Sequence, residues 1–335
     1  MALEDLGEFG LIDRIVARLG GAAARDITVP PGDDAAAWAV DAGFAVATVD
    51  TLAEGTHWRR DTMSFADVGW RAVATSISDL AAMGAEPRFL LISVELAPTV
   101  ELADIDAFAD GVAAACGAYG VRVAGGNVAG TAATSVHTTA FGTAVAASDG
   151  SPALLRRDAA RPGDLVAVSG APGASAAGLA LIEAGRDTEP EAEPLVMAHR
   201  RPTARIELGR AAVAAGLACA IDVSDGLAQD LGHVARAAGV GIEVEADALP
   251  LHPSAIALLG VEHARELALR GGEDYELALT APAATLGPLA DGEASLTTIG
   301  RVVTEHPGEV VVLDSDGRRL AQPRGGWDQL RSARG

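Results

Sequence analysis

Asp222-Val223-Ser224-Asp225-Gly226 is the stretch from which both the fold and the chemistry of this chain can be inferred. The apolar run Ala211 to Ile221 precedes it, and residues 227–231, which follow, have apolar side chains at helical spacing. Two carboxylates and a hydroxyl therefore fall where an apolar element gives way to a helix. Neighbouring carboxylates repel each other unless a cation, a helix N-terminus or hydrogen bonds offset the charge. The stretch is therefore either a metal site or a helix N-cap formed by Ser224 or Asp225.

Acidic residues recur in apolar surroundings at three other places, and this repetition favours a metal site. Asp33 and Asp34 follow Pro-Pro-Gly, a composition that is also common in ordinary turns. Asp50 is expected at the end of a buried strand over residues 44–49. Asp79 lies inside a predicted helix over residues 65–83, where an unpaired carboxylate would be costly. We therefore expect Asp79 to face solvent or to hold a cation, and its Ala, Leu and Met neighbours favour the cation.

The composition limits the class of protein. The chain has 335 residues, enough for two domains, and 49% of them are hydrophobic, which argues against disorder. No run of about 18 apolar residues occurs, so we expect no membrane span. Acidic residues at Glu4, Asp5 and Glu8 are unlike a signal peptide, so we expect the cytoplasm. Cys116 and Cys219 lie among Ala and Gly, which predicts buried side chains rather than a disulfide or zinc site.

The charge balance limits the classes of ligand that the protein is expected to bind. A formal net charge of -21 argues against nucleic-acid binding, which needs excess Lys and Arg. The sequence contains no lysine, so all 25 basic residues are Arg. This excludes a Walker P-loop and Schiff-base chemistry. A lysine-free protein that handles phosphates must neutralise them with Arg or metal ions, and the acidic clusters point to metal ions.

Strands and helices alternate in both halves of the sequence, which predicts an α+β protein with two domains. Small and turn-forming residues at 147–152 mark the expected boundary, which gives domains 1–149 and 150–335. The glycine-rich stretch 170–179 resembles a phosphate loop in composition, but it lacks the Lys and the spacing. It is expected to be a strand-to-helix turn, with anion binding left open.

Three further places are candidate ligand contacts, each with an ordinary structural alternative. Gly125-Gly126-Asn127 is expected at a strand end, where glycines let a ligand approach the backbone or simply form a turn. His57 is a substrate contact or a surface residue. Trp327 lies in a glycine-flanked stretch and is a platform for a flat ligand or a packing residue.

Taken in order, the motifs resemble those of the thiamine-monophosphate kinase family. They are Gly32-Asp33-Asp34-Ala35-Ala36, Asp50-Thr51 with Gly55-Thr56-His57, Ser78 to Ala85, Asp222 to Leu227 and Gly271 to Leu277. Each motif is short, but together they run from Glu8-Phe9 to Trp327. They are specific for this family within the superfamily of aminoimidazole ribonucleotide synthetase, selenophosphate synthetase and a hydrogenase maturation factor.

The resemblance implies a fold, an activity and an assembly. The fold would comprise two mixed α/β domains of the aminoimidazole ribonucleotide synthetase-like type. Residues 1–149 would form a metal- and nucleotide-binding domain that pairs its sheet with a second copy in a homodimer. Residues 150–335 would form an α+β domain that completes the active site. The activity would be ATP-dependent phosphorylation of thiamine monophosphate to thiamine diphosphate, with several Mg²⁺ ions.

The resemblance also implies roles for individual residues, which fall into groups by the ligand that they would contact. The metal ligands would be Asp34, Thr48, Val49, Asp50, Asp79, Asn127, Asp222 and Asp225. ATP contacts would come from Tyr119, Gly126, Asn127, Arg157 and Ser224, and thiamine monophosphate contacts from His57, Glu273 and Trp327. Asp50, Asp222 and Arg157 would be the catalytic residues. Trp327 would stack on a cationic aromatic ring.

The chemistry of the residues agrees with these implications. Donor and acceptor are both anionic phosphates, so their approach is repulsive, and magnesium held by carboxylates can screen the repulsion and fix an in-line geometry. Asn127 replaces the family's usual aspartate, and Val49 replaces a hydroxyl residue and offers only its carbonyl. We therefore expect weaker or fewer bound metals. Two alternatives stay open: a homologue that binds nucleotide or thiamine phosphate without turnover, and a related ATP-dependent enzyme with another substrate.

Overall fold

The computed structural model describes Arg14, Ala17, Arg18 and residues 43–290 and 296–320. The chain divides into two compact units. Of the described residues, those up to Leu80 together with Glu86–Pro152 form the N-terminal unit, and Ala81–Ala85 together with those from Ala153 onward form the C-terminal unit. In the part of the chain that the structure describes, each unit contains a mixed sheet and helices, so the predicted α+β class is confirmed.

The described elements of the N-terminal unit form a four-stranded sheet with two long helices. In chain order they are β1 Phe44–Ala53, α1 Phe65–Ala82, β2 Glu86–Leu96, α2 Leu102–Tyr119, β3 Arg122–Gly130 and β4 Ser135–Ala144. The strand order is β1-β4-β2-β3, in which β2 and β3 are parallel and the other neighbours antiparallel. β1 and β3 therefore lie at opposite edges of this sheet.

Helix α1 forms where the sequence supplies both a start signal and an apolar face. Ser64 and Asp67 exchange side-chain-to-backbone hydrogen bonds of 3.2 Å, which is a capping box. The backbones of α1 and α2 then approach closely, since a Cβ on Gly69 would lie 2.2 Å from the carbonyl oxygen of Phe108. A side chain at position 69 would push the two helices apart.

The described part of the C-terminal unit contains a six-stranded sheet. Its elements are β5 Leu165–Ser169, α3 Ala174–Glu183, α4 Glu193–Arg200, α5 Ile206–Ala214, β6 Cys219–Val223, α6 Leu227–Ala238, β7 Gly241–Glu245, α7 Pro253–Leu259, α8 Val261–Arg270, β8 Glu276–Ala281, α9 Ala283–Ala290, β9 Leu296–Val303 and β10 Val310–Leu313. The order is β10-β7-β9-β5-β8-β6, with only β10 and β7 parallel. A buried core that includes Ile221, Leu227 and Leu231 joins this sheet to α6.

Two strand predictions were wrong in extent. β1 does not end before Asp50 but runs to Ala53, and it is not buried on both faces, since Val49 is 64% exposed. β3 likewise continues through Gly125, Gly126 and Asn127, which pair with β2, so these residues do not form a strand end. The local apolar runs in the sequence predicted neither extension, because pairing with a neighbouring strand holds polar and glycine residues in the extended conformation.

Within the part of the chain that the structure describes, no helix combines the length and the apolar character needed to cross a bilayer. The two cysteines are free and buried, as the sequence predicted.

Candidate functional site

The N-terminal unit brings Thr48, Asp50 and Asp79 together. Alternate residues of β1 face the sheet side that carries α1, and Thr48 and Asp50 are among them. Asp79, near the end of α1, accepts a hydrogen bond from the hydroxyl of Thr48 at 2.5 Å. The same helix packs on the neighbouring strand, where Ser76 donates to the carbonyl of Thr138 at 3.2 Å. Two carboxylates from distant parts of the sequence thus share one side of the sheet.

Asp50 is poorly compensated by the protein itself. Burial and then the negative charge of Asp79 raise the pKa of Asp50 to about 6, while a hydrogen bond from Ser76 opposes the shift. Its Oδ2 atom is buried and has no hydrogen-bond partner among the described residues. A hard divalent cation would supply the missing positive charge and would suit this all-oxygen donor set. The residues present therefore fit magnesium.

Val49 and Asn127 lie elsewhere on the sheet. The side chain of Val49 points to the opposite face of β1 from Asp50. Asn127 is exposed on the far edge strand β3 and stands in one cross-strand row with Ser93 and His137. Asp50 belongs to the adjacent row, whose side chains point to the other face. The described sheet therefore does not bring Asn127 to Asp50 and Asp79.

The C-terminal unit holds the second acidic cluster at the end of β6. Asp222 lies inside that strand and is 3% exposed. Asp225 lies in the turn before α6 and accepts a hydrogen bond from the side-chain amide of Gln229 at 3.1 Å. The N-cap interpretation was wrong, because the N-cap is Gly226 and no side chain caps the helix there.

Sequence reasoning missed Asp230 and His233, which complete this cluster. One oxygen or nitrogen from each of Asp225, Asp230 and His233 lies within 4.8 Å of the others, so the three could hold a cation. Burial, with the charges of Asp222 and Asp225, raises the pKa of Asp230 to about 8. Burial, with the positive charges of Arg236 and Arg157, lowers the pKa of His233. The helical spacing of residues 230 and 233 was the available signal, since positions three apart share a helix face.

The loop before β8 packs on the same turn. The backbone N–H groups of Glu273 and Tyr275 donate to the carbonyl oxygens of Ser224 and Val223 at 2.7 and 2.8 Å. Both residues have positive φ angles, +64° and +56°, which non-glycine residues rarely adopt. Asp274 between them accepts hydrogen bonds from the N–H groups of Gly173 and Ser175 at the start of α3. Glu273 is thus brought beside Ser224.

The remaining sequence-predicted residues are placed as follows. His57 lies in the turn after β1, and its Nδ1 accepts a hydrogen bond from the N–H of Ala53 at 3.0 Å. Tyr119 ends α2 and contacts the ring of Trp70, with centroids 5.9 Å apart. Gly126 is exposed on β3, and Arg157 is exposed in a short 3₁₀ turn over Arg157–Ala159. Asp34 and Trp327, and Asp33 as well, lie outside the described residues.

Comparison with known families agrees with the described fold. The sequence-family model described as AIR synthase related protein, N-terminal domain, matches residues 32–145 of this chain. The model for the AIR synthase related protein, C-terminal domain, matches residues 161–313. The predicted two-domain fold of the aminoimidazole ribonucleotide synthetase-like type is therefore confirmed.

Individual relatives match almost the whole chain. Thiamine-monophosphate kinase of Aquifex aeolicus (strain VF5) is 36% identical over 329 residues, covering 97% of this chain and 99% of the relative. The crystal structure of thiamine-monophosphate kinase from Stenotrophomonas maltophilia K279a is 38% identical, with a TM-score of 0.81, and covers 96% of this chain and 99% of its own. Another solved relative, AaThiL complexed with AMPPCP and TMP, is 33% identical, with a TM-score of 0.76. The match covers 98% of this chain and 99% of the AaThiL chain.

Proposed function

The chain belongs to the thiamine-monophosphate kinase family, and we propose that it transfers the γ-phosphoryl group of ATP to the phosphate of thiamine monophosphate. The products would be thiamine diphosphate and ADP. The observation that carries this proposal is the nearly full-length match to AaThiL, a relative complexed with AMPPCP and TMP. The sequence motifs that resemble this family occur in the same order along the chain.

Direct transfer between two phosphates places demands on the site. The donor and acceptor repel each other, and the transition state spreads negative charge over the transferred group. Bound Mg²⁺ would screen that charge and orient the phosphates for in-line attack. The Oδ2 atom of Asp50, which has no partner among the described residues, and the nearby charge of Asp79 support a metal role for these two carboxylates. No protein nucleophile is needed.

We assign the residues of each unit separately. In the N-terminal unit, Asp50 and Asp79 would hold magnesium, with Thr48 orienting Asp79 through its hydrogen bond. In the C-terminal unit, Asp222 and Asp225 would be the metal ligands. Asp34, Asn127 and the carbonyl of Val49 remain proposed metal ligands on the family resemblance alone.

The proposed substrate contacts rest on the same resemblance. ATP would contact Tyr119, Gly126, Asn127, Arg157 and Ser224, and thiamine monophosphate would contact His57, Glu273 and Trp327. The proximity of Arg157 to His233 supports a place for its charge beside the acidic turn, since its charge lowers the pKa of His233. The backbone bond between Glu273 and Ser224 supports a shared position for the two proposed substrate contacts.

We also propose a cytoplasmic homodimer that pairs its N-terminal sheets. Among the described strands β1 lies at a sheet edge, and Phe44, Val49 and Val145 expose 37%, 64% and 68% of their surface at or next to that edge. An exposed apolar edge strand favours pairing with another chain. Sedimentation of the purified protein gives its mass in solution, and a monomer at micromolar concentration would contradict this assembly.

The decisive experiment measures product. The purified chain is incubated with ATP, Mg²⁺ and thiamine monophosphate, and thiamine diphosphate is separated by chromatography. Formation in proportion to enzyme, and its loss on omission of Mg²⁺, is the expected result. Binding of AMPPCP and thiamine monophosphate without product would instead support the second candidate, a binding protein, which Asn127 favours because one negative charge is missing. Turnover of ATP only with another phosphate acceptor would identify a different substrate.

A further inference from the structure

One carboxylate oxygen organises the turn that links β6 to α6. The backbone N–H groups of Ser224, Asp225 and Gly226 all donate to Oδ2 of Asp230, at 3.0, 3.1 and 3.0 Å. Asp230 lies in the first turn of α6 and is 2% exposed. Three consecutive amides thus converge on a single buried atom.

This arrangement is unusual for a simple helix cap. A Ser, Thr or Asn side chain at the N-cap position accepts from the amides of the second or third helical residue, so it would leave the amides of residues 224–226 without that acceptor. The chain instead has Gly226 at that position and places the acceptor inside the helix, close to the carboxylates of Asp222 and Asp225. Burying an acid in that position costs free energy, and the three hydrogen bonds that it accepts fix the backbone path through residues 224–226.

We propose that Asp230 is a positioning residue for the phosphate-transfer site: it fixes the backbone of residues 224–226 and so aims the hydroxyl of Ser224 and the carboxylate of Asp225. This inference rests on the proposed function, which gives Ser224 to ATP and Asp225 to magnesium. Without the three hydrogen bonds, the turn would sample other conformations, and both ligands would be lost from their positions together.

Direct metal ligation by Asp230 is the competing role. Its side chain lies within the 4.8 Å cluster with Asp225 and His233. Oδ2 accepts three N–H bonds, so its lone pairs are engaged by the backbone, and Oδ1 is the oxygen through which Asp230 would ligate a cation directly. The three bonds to Oδ2 carry the proposed indirect role, in which the carboxylate acts through the turn it holds.

The two roles differ in how they respond to a neutral substitute. In Asp230→Asn the amide oxygen can still accept the three N–H bonds, whereas Asp230→Ala removes the acceptor. Mn²⁺ affinity, measured by electron paramagnetic resonance without any turnover, should fall about 10- to 100-fold in Asp230→Ala, the range typical of outer-shell partners. Asp230→Asn should recover most of that loss. Asp164→Asn is the matched control, since Asp164 is buried in the same unit and accepts from the N–H of Arg161 at 2.9 Å.

Several outcomes would overturn the inference. Equal loss of Mn²⁺ affinity in Asp230→Asn and Asp230→Ala would identify a direct ligand, and unchanged affinity in Asp230→Ala would show that the turn needs no such support. If Asp230→Ala does not fold, Asp230→Ser, whose shorter side chain cannot reach all three amides, replaces it in the same comparison. Failure of the wild-type chain to form thiamine diphosphate would refute the proposed function, while the ranking of Mn²⁺ affinities would still decide the role of Asp230.

Discussion

The backbone N–H of Glu273 donates a hydrogen bond to the carbonyl oxygen of Ser224 at a distance of 2.7 Å. A second bond, from the N–H of Tyr275 to the carbonyl of Val223, runs beside it. Left-handed backbone conformations at Glu273 and Tyr275 cost on the order of 1 kcal/mol each, so the surrounding contacts must hold them. The proposed substrate contact Glu273 and the proposed nucleotide contact Ser224 therefore belong to one structural element.

A side chain at position 272 should push apart the two loops that form this element. A Cβ there would lie 2.4 Å from the carbonyl oxygen of Ser224, so Gly272→Ala forces the two loops apart. Overpacking of this kind costs about 1–3 kcal/mol, and we expect kcat/KM for ATP and for thiamine monophosphate to fall together, by about 10-fold or more. Steady-state kinetics with each substrate varied in turn measures the two effects.

Gly117→Ala is the control for that substitution. Gly117 lies in α2 with open space around its Cα, so the added methyl should raise stability by about 0.5–1 kcal/mol and leave turnover unchanged. A Gly272→Ala enzyme with wild-type kinetics would show that the contact between the loops does not affect the site.

Asp50→Asn should stabilise the metal-free protein while abolishing its activity. Burial and Asp79 raise the pKa of Asp50, so its charged form is unfavourable at pH 8, and a neutral side chain should raise the free energy of unfolding by about 1–3 kcal/mol. Loss of a metal ligand should lower kcat about 100-fold or more. Thermal unfolding with and without Mg²⁺ should also show that the variant has lost the stabilisation that Mg²⁺ gives the wild type.

Asp67→Asn provides the opposite case on the same helix. Asp67 accepts hydrogen bonds from the backbone and hydroxyl of Ser64 and caps α1, so its neutralisation should lower stability by about 0.5–2 kcal/mol. If both variants lost stability in the absence of metal, Asp50 would be an ordinary structural residue, contrary to its proposed role.

Sequence alone predicted the elements whose signals are local. The apolar periodicity of residues 102–119 predicts a helix, and the apolar run 165–169 predicts a strand; helix α2 and strand β5 have the same bounds, Leu102–Tyr119 and Leu165–Ser169. β3 was predicted to end before Gly125, yet it continues because Gly126 and Asn127 pair with Ile92 and Ser93. Such pairing depends on residues more than thirty positions away, which no local pattern contains.

The candidate site shows the same division. Asp222 and Asp79 stood out in sequence because their neighbours are apolar. Asp230 and Asp274 did not, because a single acid in a helix or loop is usually solvated, and only the folded chain shows the amides that each accepts. The cross-strand register that turns Asn127 away from Asp50 was equally hidden.

Asn127→Asp tests whether the missing carboxylate matters for magnesium. As a magnesium ligand, the role that the family resemblance implies, an aspartate at 127 would lower the Mg²⁺ concentration for half-maximal activity by about 10-fold for a gain of 1.4 kcal/mol, because its oxygen carries charge that the amide oxygen lacks. The described register turns residue 127 away from Asp50, so we expect the variant and the wild type to titrate alike. Gly130→Asp, which adds the same charge at an open position of β3, should leave the magnesium titration unchanged. Coincident titrations for Asn127→Asp and the wild type would remove Asn127 from the proposed metal ligands.

The titration of Asp274 should make the C-terminal unit less stable as pH rises toward 8. Burial raises the pKa of Asp274 to about 8, against the hydrogen bonds from Gly173 and Ser175. Since the folded state prefers the protonated acid, this contribution is complete below about pH 4 and is lost as pH rises to 8, at up to about 1.4 kcal/mol per pH unit. The side chain in Asp274→Asn stays neutral. The melting temperature of this variant minus that of the wild type should therefore increase by about 2–4 °C per pH unit between pH 5 and 8. For Asp149→Asn, whose acid has a pKa lowered by Ser151, the difference from wild type should stay constant over that interval, and a constant difference for Asp274→Asn too would show that Asp274 is already ionised at pH 5.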